Sequence, residues 1–219
     1  MARGTNNDKG SATYLRIADG KIVEEVDKNT IGAVSRTTKP SDEHPEGREV
    51  WERKDSYLEG VVTSMWRKER EYKGDINRSL VLRISDVGEN YQLEIKEGGR
   101  YWSSFMLRLP NMDLTKPIRI APYDFTDKEG KRVIGLNVFQ GDVKVAPKWD
   151  KNNPGDLPQG RKVRVNGKDV WDFEERDQYL IKAMEKIAAG LKEKDNAIAA
   201  TSGEAVASKF DDDDDQLPF

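Results

Sequence analysis

A mainly β fold is predicted by three features of the chain. Between Tyr57 and Val145, short stretches alternate apolar and polar residues with period two, the pattern of strands that bury one face and wet the other. Glycine-bearing dipeptides, Val87-Gly88 and Gly98-Gly99, close two of these stretches. Finally, 36% of residues are apolar against 35% charged, with a mean hydropathy of −0.83, which suits a small core carrying polar appendages. The 219 residues have room for one ordinary domain plus tails.

Residues 1–10 are small and polar and read as a disordered start. "ATYLRIADGKIVEEV" holds two strand-like runs around Asp19-Gly20, a dipeptide that accepts the positive φ of a tight turn, so it predicts an N-terminal hairpin. Thr37 to Gly47 is a loop marked by prolines and charges, and it contains His44. "YLEGVVTSMW" is the first long strand, with Gly60 placed where it could bend. In "SLVLRIS", Leu80, Leu82 and Ile84 alternate with Val81 and Arg83; in "YQLEIKE", Tyr91, Leu93 and Ile95 alternate with Gln92, Glu94 and Lys96. Trp102, Phe105, Met106 and Leu109 then recur at three and four until Pro110 stops the run, which predicts a short helix. "PIRIAPY" sets Ile118 and Ile120 opposite Arg119, "KRVIGLNVF" turns Ile134, Leu136 and Val138 inward, and "DFTDKEGK" between them forms a hairpin loop.

Three strands, a short helix and two strands follow the order of the five-stranded Greek-key barrel called the OB-fold. An SH3-like barrel would lack the helix before the fourth strand, and an immunoglobulin-type sandwich would want more strands. The barrel is expected over about residues 50–148, inside a domain of residues 11–195. After it come a turn-rich connection, a compact hairpin with Asn166-Gly167 at its turn, and an amphipathic helix. Asp172 and Glu175 form a capping-box pattern before that helix, and its stripe of Leu180, Met184, Ile187 and Leu191 predicts packing against the domain. Residues 196–219 read as a flexible linker and a disordered acidic tail.

The absence of cysteine excludes disulfides and thiolate metal sites. Without an apolar run of membrane length or a signal-type start, the chain reads as soluble and cytoplasmic, with no membrane partner. Nucleophile systems of the Ser-His or Cys-His kind would have only His44 to draw on, and no acidic cluster stands out in the patterned core. The expectation is a non-enzyme without cofactor or metal. Of the formal net charge of −3, residues 204–219 contribute −5, so residues 1–203 carry +2 and point to a polyanion ligand.

Two predicted loops mix cations with aromatic rings. In "WRKEREYKGDINR", between the first two barrel strands, Trp66 and Tyr72 stand among Arg67, Lys73 and Arg78; in "YDFTDKEGKR", between the last two, Tyr123 and Phe125 precede Arg132. Cations attract phosphates and rings stack on bases, worth about 1–3 kcal/mol per base, and single strands present both targets. The corresponding OB-fold loops commonly grip oligonucleotides. Outward Arg83 and Arg119 extend the same surface, while Glu69, Glu71 and Asp75 offer the cations an alternative set of partners.

The ending "FDDDDDQLPF" resembles the C-terminal tip of the single-stranded DNA-binding proteins of bacteria and some of their phages. The resemblance implies an OB-fold body that binds the strand, a flexible linker, and a tip that recruits proteins of DNA replication, recombination and repair. Here the tip residues are Asp211, Asp212, Asp213, Asp214, Asp215, Leu217, Pro218 and Phe219. The close match covers Phe210 to Phe219; the hairpin and long helix after the barrel depart from the usual bacterial form and imply a divergent, phage-encoded relative acting in a host cytoplasm. The predicted function is sequence-independent binding and protection of single-stranded DNA. A protein-interaction adaptor and an RNA-binding OB-fold protein are the alternatives.

Overall fold

The computed structural model describes residues 12–40, 44–165 and 167–207, and residues 192–207 by their backbone only. The expectations for residues 1–10 and for the tip, Asp211 to Phe219, lie outside the described residues.

In chain order the strands are β1 (Thr13–Ala18), β2 (Lys21–Val26), β3 (Val34–Thr37), β4 (Glu49–Asp55), β5 (Leu58–Tyr72), β6 (Asp75–Asp86) and β7 (Glu89–Lys96). Helix α1 (Arg100–Met106) and a 3-10 turn (Leu109–Asn111) lead to β8 (Ile118–Thr126), β9 (Arg132–Gln140) and β10 (Val143–Lys144). A separate hairpin, β11 (Arg161–Val165) and β12 (Lys168–Asp172), precedes helix α2 (Glu174–Ala207). Ten strands form one sheet in the order β10-β9-β8-β5-β6-β7-β1-β2-β4-β3, mixed because β1 runs parallel to β7.

The mainly β class and the short helix before β8 agree with the sequence reading; the closed five-stranded barrel does not. The five expected strands are neighbours as β9-β8-β5-β6-β7, but β9 makes no pairing with β7. The edge of β7 is taken by β1, with Leu15 opposite Leu93 and both buried. Period-two patterning tells which face of a strand is buried and says nothing about which strand takes its edge. The N-terminal hairpin, expected as an appendage, is therefore part of the main sheet.

The sheet curls instead of closing. Strand β5 pairs with β8 through Leu58 to Gly60 and with β6 from Val61 onward, with a register shift between Val62 and Ser64 where the strand turns from one neighbour to the other. Gly60 lies against the backbone of Ser85, where a Cβ would sit 2.7 Å from the Ser85 carbonyl oxygen. Curling carries the β1–β2 turn against β8: a Cβ on Gly20 would lie 2.5 Å from the Asp124 amide nitrogen. The Gly20 amide donates to the Tyr101 hydroxyl of α1 at 2.9 Å, which pins the turn to the helix. Asp19 and Gly20 both have positive φ, as that two-residue turn requires.

The concave side of the curl is the core. Met65, Leu80, Leu82, Ile84, Leu93 and Ile95 meet Ile118, Ile120, Leu136 and Val138 across it, and α1 plugs the space with Trp102, Phe105 and Met106. Truncating Phe105, fully buried at the centre, would cost about 3–5 kcal/mol. Helix α2 lays Leu180, Ile181, Met184 and Ala188 on the same core, with Ile187 and Leu191 partly covered. Its start differs in detail from a capping box: Asp172 accepts from the Glu174 amide at 2.9 Å, while Glu175 reaches Arg161 at 3.3 Å. The helix also continues to Ala207, through residues whose small, polar composition suggests a linker. Ala197, Ala199, Ala200 and Ala205 account for this, since alanine is the strongest helix former. None of the described helices is long and apolar enough to cross a membrane.

Candidate nucleic-acid interface

The segment read as the first binding loop is a two-stranded ribbon. Lys73 and Gly74 both take positive φ, 52° and 81°, which makes a two-residue hairpin turn and lets β5 run to Tyr72 and β6 restart at Asp75. In extended chain, adjacent side chains leave opposite faces. Trp66 and Arg67, neighbours in sequence, thus part company: Trp66 stands opposite Val81, and Arg67 stands opposite Leu80, on the core side.

Following the register outward from Trp66 defines a second, outer face. One row runs Trp66, Val81, Glu94, Arg16 and Val23 across β5, β6, β7, β1 and β2. Beside it run Ser64, Arg83, Gln92 and Tyr14, and on the other side Lys68, Ser79 and Lys96, followed by Arg70 and Asn77. Val81 and Val23 are buried and form an apolar floor. Above them lies a groove of about 590 Å³ whose walls include Tyr14, Arg16, Arg70, Asn77, Gln92 and Lys96.

Electrostatics fix how this face is arranged. The Arg83 guanidinium lies 6.0 Å from the centre of the Trp66 ring, the distance of a cation–π contact. Lys68 reaches Glu94 at 3.3 Å. Burial pushes the Glu94 carboxyl upward, but hydrogen bonds from Ser79 and Lys68 and the charges of Lys68 and Arg70 outweigh it and hold the group below its ordinary value. At the β1–β3 side, the buried Glu52 carboxylate accepts from both Arg16 and Arg36. Burial there too raises the carboxyl, and the hydrogen bonds and charges of the two arginines bring it down. Both guanidiniums keep about two-fifths of their surface exposed, so Glu52 positions them without hiding them. The cations of this face include Arg16, Arg36, Lys54, Lys68, Arg70, Arg83 and Lys96, and its carboxylates include Glu25, Glu52 and Glu94.

Such a face can neutralise phosphates with its cations and offer Trp66 and the well exposed Tyr14 ring to bases, with the exposed Asn77 amide for polar edges. Among the described residues no cluster of His, Asp or Glu is arranged to hold a metal ion.

Of the ten residues singled out in sequence, the structure brings Trp66 and Arg83 together on the outer face beside the groove, and neither lines it. Arg67 lies on the opposite face, held to Glu97 by bonds of 2.6 and 2.8 Å, and that pairing raises its pKa further. Arg78 is paired with Glu69 at 2.8 Å. Tyr72 and Lys73 sit at the ribbon tip, with the Lys73 ammonium 5.5 Å from the Tyr72 ring. Arg119 is packed between Phe139, 4.9 Å away, and Tyr57, 5.8 Å away. In the second loop, Tyr123 and Phe125 have ring centres 5.8 Å apart, and the Tyr123 hydroxyl lies over Gly135 beside Ser104. Arg132 grips Asp124 with two donors, and Asp127 ties the turn by accepting from the Glu129 and Lys131 amides at 2.9 Å.

The sequence reading does not single out Tyr14, Arg16, Arg36, Gln92 and Lys96 for binding. Half of the signal was present: "TYLRI" sets Tyr14 and Arg16 on one side of a strand, and "YQLEIK" does the same for Gln92, Glu94 and Lys96. What was missing is the parallel pairing of β1 with β7, which lays those two sides next to each other.

Comparison of the chain with protein-family models, with curated proteins and with solved structures finds no match.

Proposed function

We propose that this protein binds single-stranded DNA without sequence preference and catalyses no reaction, with the strand laid across the outer groove of β5, β6, β7 and β1. The observation that carries this reading is a sheet face on which Trp66 and Tyr14 stand among cations that outnumber the carboxylates. Phosphates alone would be satisfied by duplex DNA; accessible rings are useful to a ligand whose bases are unstacked. Support comes also from connectivity. The order β9-β8-β5-β6-β7, with α1 between β7 and β8, matches the strand order expected of an OB-type sheet left open where β1 takes the edge of β7, and OB-folds bind oligonucleotides on the face of their second and third strands, which would here be β6 and β7. On the same reading, Asp211 to Asp215 with Leu217, Pro218 and Phe219 recruit basic partner proteins of replication, recombination or repair, the charges speeding encounter.

The test is titration of a fluorescent oligothymidylate at two salt concentrations, with duplex of equal length as competitor. Tight binding that weakens with salt and resists duplex is the expected result. Binding that duplex abolishes, or none at all, would refute it. An RNA strand of the same sequence, bound more tightly than DNA, would move the assignment to RNA.

A further inference from the structure

The β11–β12 hairpin stands apart from the ten-stranded sheet, and the groove makes no use of it. Its register places Lys162 opposite Trp171 and Arg164 opposite Asp169 on one face, and Phe173 continues that face beyond β12. Trp171 is 55% exposed and Phe173 is 39% exposed, so neither belongs to the core. Their rings lie nearly parallel, 14° apart with centres at 6.1 Å. Lys162 sits 5.6 Å from the Trp171 ring, and Arg176 sits 4.3 Å from the Phe173 ring. Gly160 makes room for this: a Cβ there would lie 2.3 Å from the Phe173 ring. The result is a ladder of cation, ring, ring and cation open to solvent.

The ladder begins where the groove ends. Asn77 and Lys96, which line the groove, also line a neighbouring depression together with Arg78, Asp75, Glu97 and Asp177. Asp177 accepts from Arg176 at 2.8 Å, and Arg176 is the cation on Phe173. The depression, Arg176 and the Phe173 ring thus link Lys96 with Trp171.

We infer that the hairpin is a second stacking contact for the same single strand, taking bases and phosphates that leave the groove beside Lys96. The inference rests on the strand-binding reading above and adds a longer footprint to it. It is tested with the full chain and its Trp171→Ala variant on two oligothymidylates, one of about five nucleotides, enough for a groove alone, and one of about twenty. Trp171→Ala is expected to leave affinity for the short strand unchanged and to lower affinity for the long strand about tenfold, with Trp171→Phe restoring most of it. Circular dichroism of the variant should match the parent, because the side chain is exposed. Equal affinity of variant and parent for the long strand would overturn the hairpin contact and leave the groove standing. An altered state of self-association together with unaltered strand affinity would assign the ladder to a protein partner instead and overturn it likewise. Failure of the parent chain to bind either strand would remove the groove reading and this inference together.

Discussion

The two faces of the β5–β6–β7 ribbon both carry arginines and use them in opposite ways. On the core side, Arg67 and Arg78 are matched by Glu97 and Glu69 at 2.6 to 2.8 Å, and the charges cancel locally. On the outer side, Arg83 lies against the Trp66 ring, and Lys96 opens onto the groove. The lesson concerns what a basic stretch means. "WRKEREYKGDINR" supplies cations to both faces alternately, and only the partner across the register decides which are structural and which can meet a ligand.

The comparison breaks most sharply if the faces can be exchanged by mutation. Replacing Trp66 and Arg83 together by Ala should weaken binding of single-stranded DNA about a hundredfold while the melting temperature changes little, because one stacking and one phosphate contact are lost from a surface position. Binding isotherms together with calorimetric melting decide this; a large fall in melting temperature with intact affinity would place the pair with the structural arginines.

Glu52→Gln should act next most strongly, and on stability. It removes the charge that holds Arg16 and Arg36, at a cost of about 2 kcal/mol, discounted from the value for a fully buried pair because both guanidiniums are partly wet. The folded carboxyl titrates below its unfolded value, so its contribution is fully present above the unfolded pKa and is lost as pH falls through the folded one. Denaturant melts of parent and variant should differ most at neutral pH and converge below about pH 4. A difference that grows on acidification would contradict the assignment.

Arg67→Ala sharpens the contrast from the other side. It leaves Glu97 without its partner and should cost about 1 kcal/mol in stability, with strand affinity unchanged. Any substantial loss of affinity would return Arg67 to the binding surface. The smallest effect is expected from Lys96→Ala, a single phosphate contact: the slope of log affinity against log salt should fall by about one, with a few-fold loss at low salt.

How far the sequence could be read depends on the range of the interactions concerned. Alternation in 80–84, 91–95, 118–120 and 134–138, the helical spacing from Trp102 to Leu109 and the Asp19-Gly20 turn are set by neighbours in the chain, and all reappear as elements. Pairing at a distance leaves no such trace. Nothing in Leu15 or Leu93 names the other as partner, yet their adjacency replaces barrel closure and builds half of the groove. That Trp66 and Arg83 share a face follows from the tight turn that joins their own strands. Arg67 is held on the other face by Glu97, a residue just past the end of β7 and thirty residues farther along the chain, and no local pattern announces that pairing.

The pairing of β1 with β7 also has a consequence in time. Residues Thr13 to Arg16 leave the ribosome seventy-eight residues ahead of their partners, Tyr91 to Glu94, several seconds at ordinary rates of synthesis. During that interval the β1–β2 hairpin must wait with one long edge unpaired, and loop closure of this length slows its docking. The converse holds for any shortened form that begins at β4 or β5: β7 would be left with an open hydrogen-bonding edge beside Leu93, a template for pairing with other chains. Trimming the N-terminal strands would therefore produce a sticky protein rather than a smaller one.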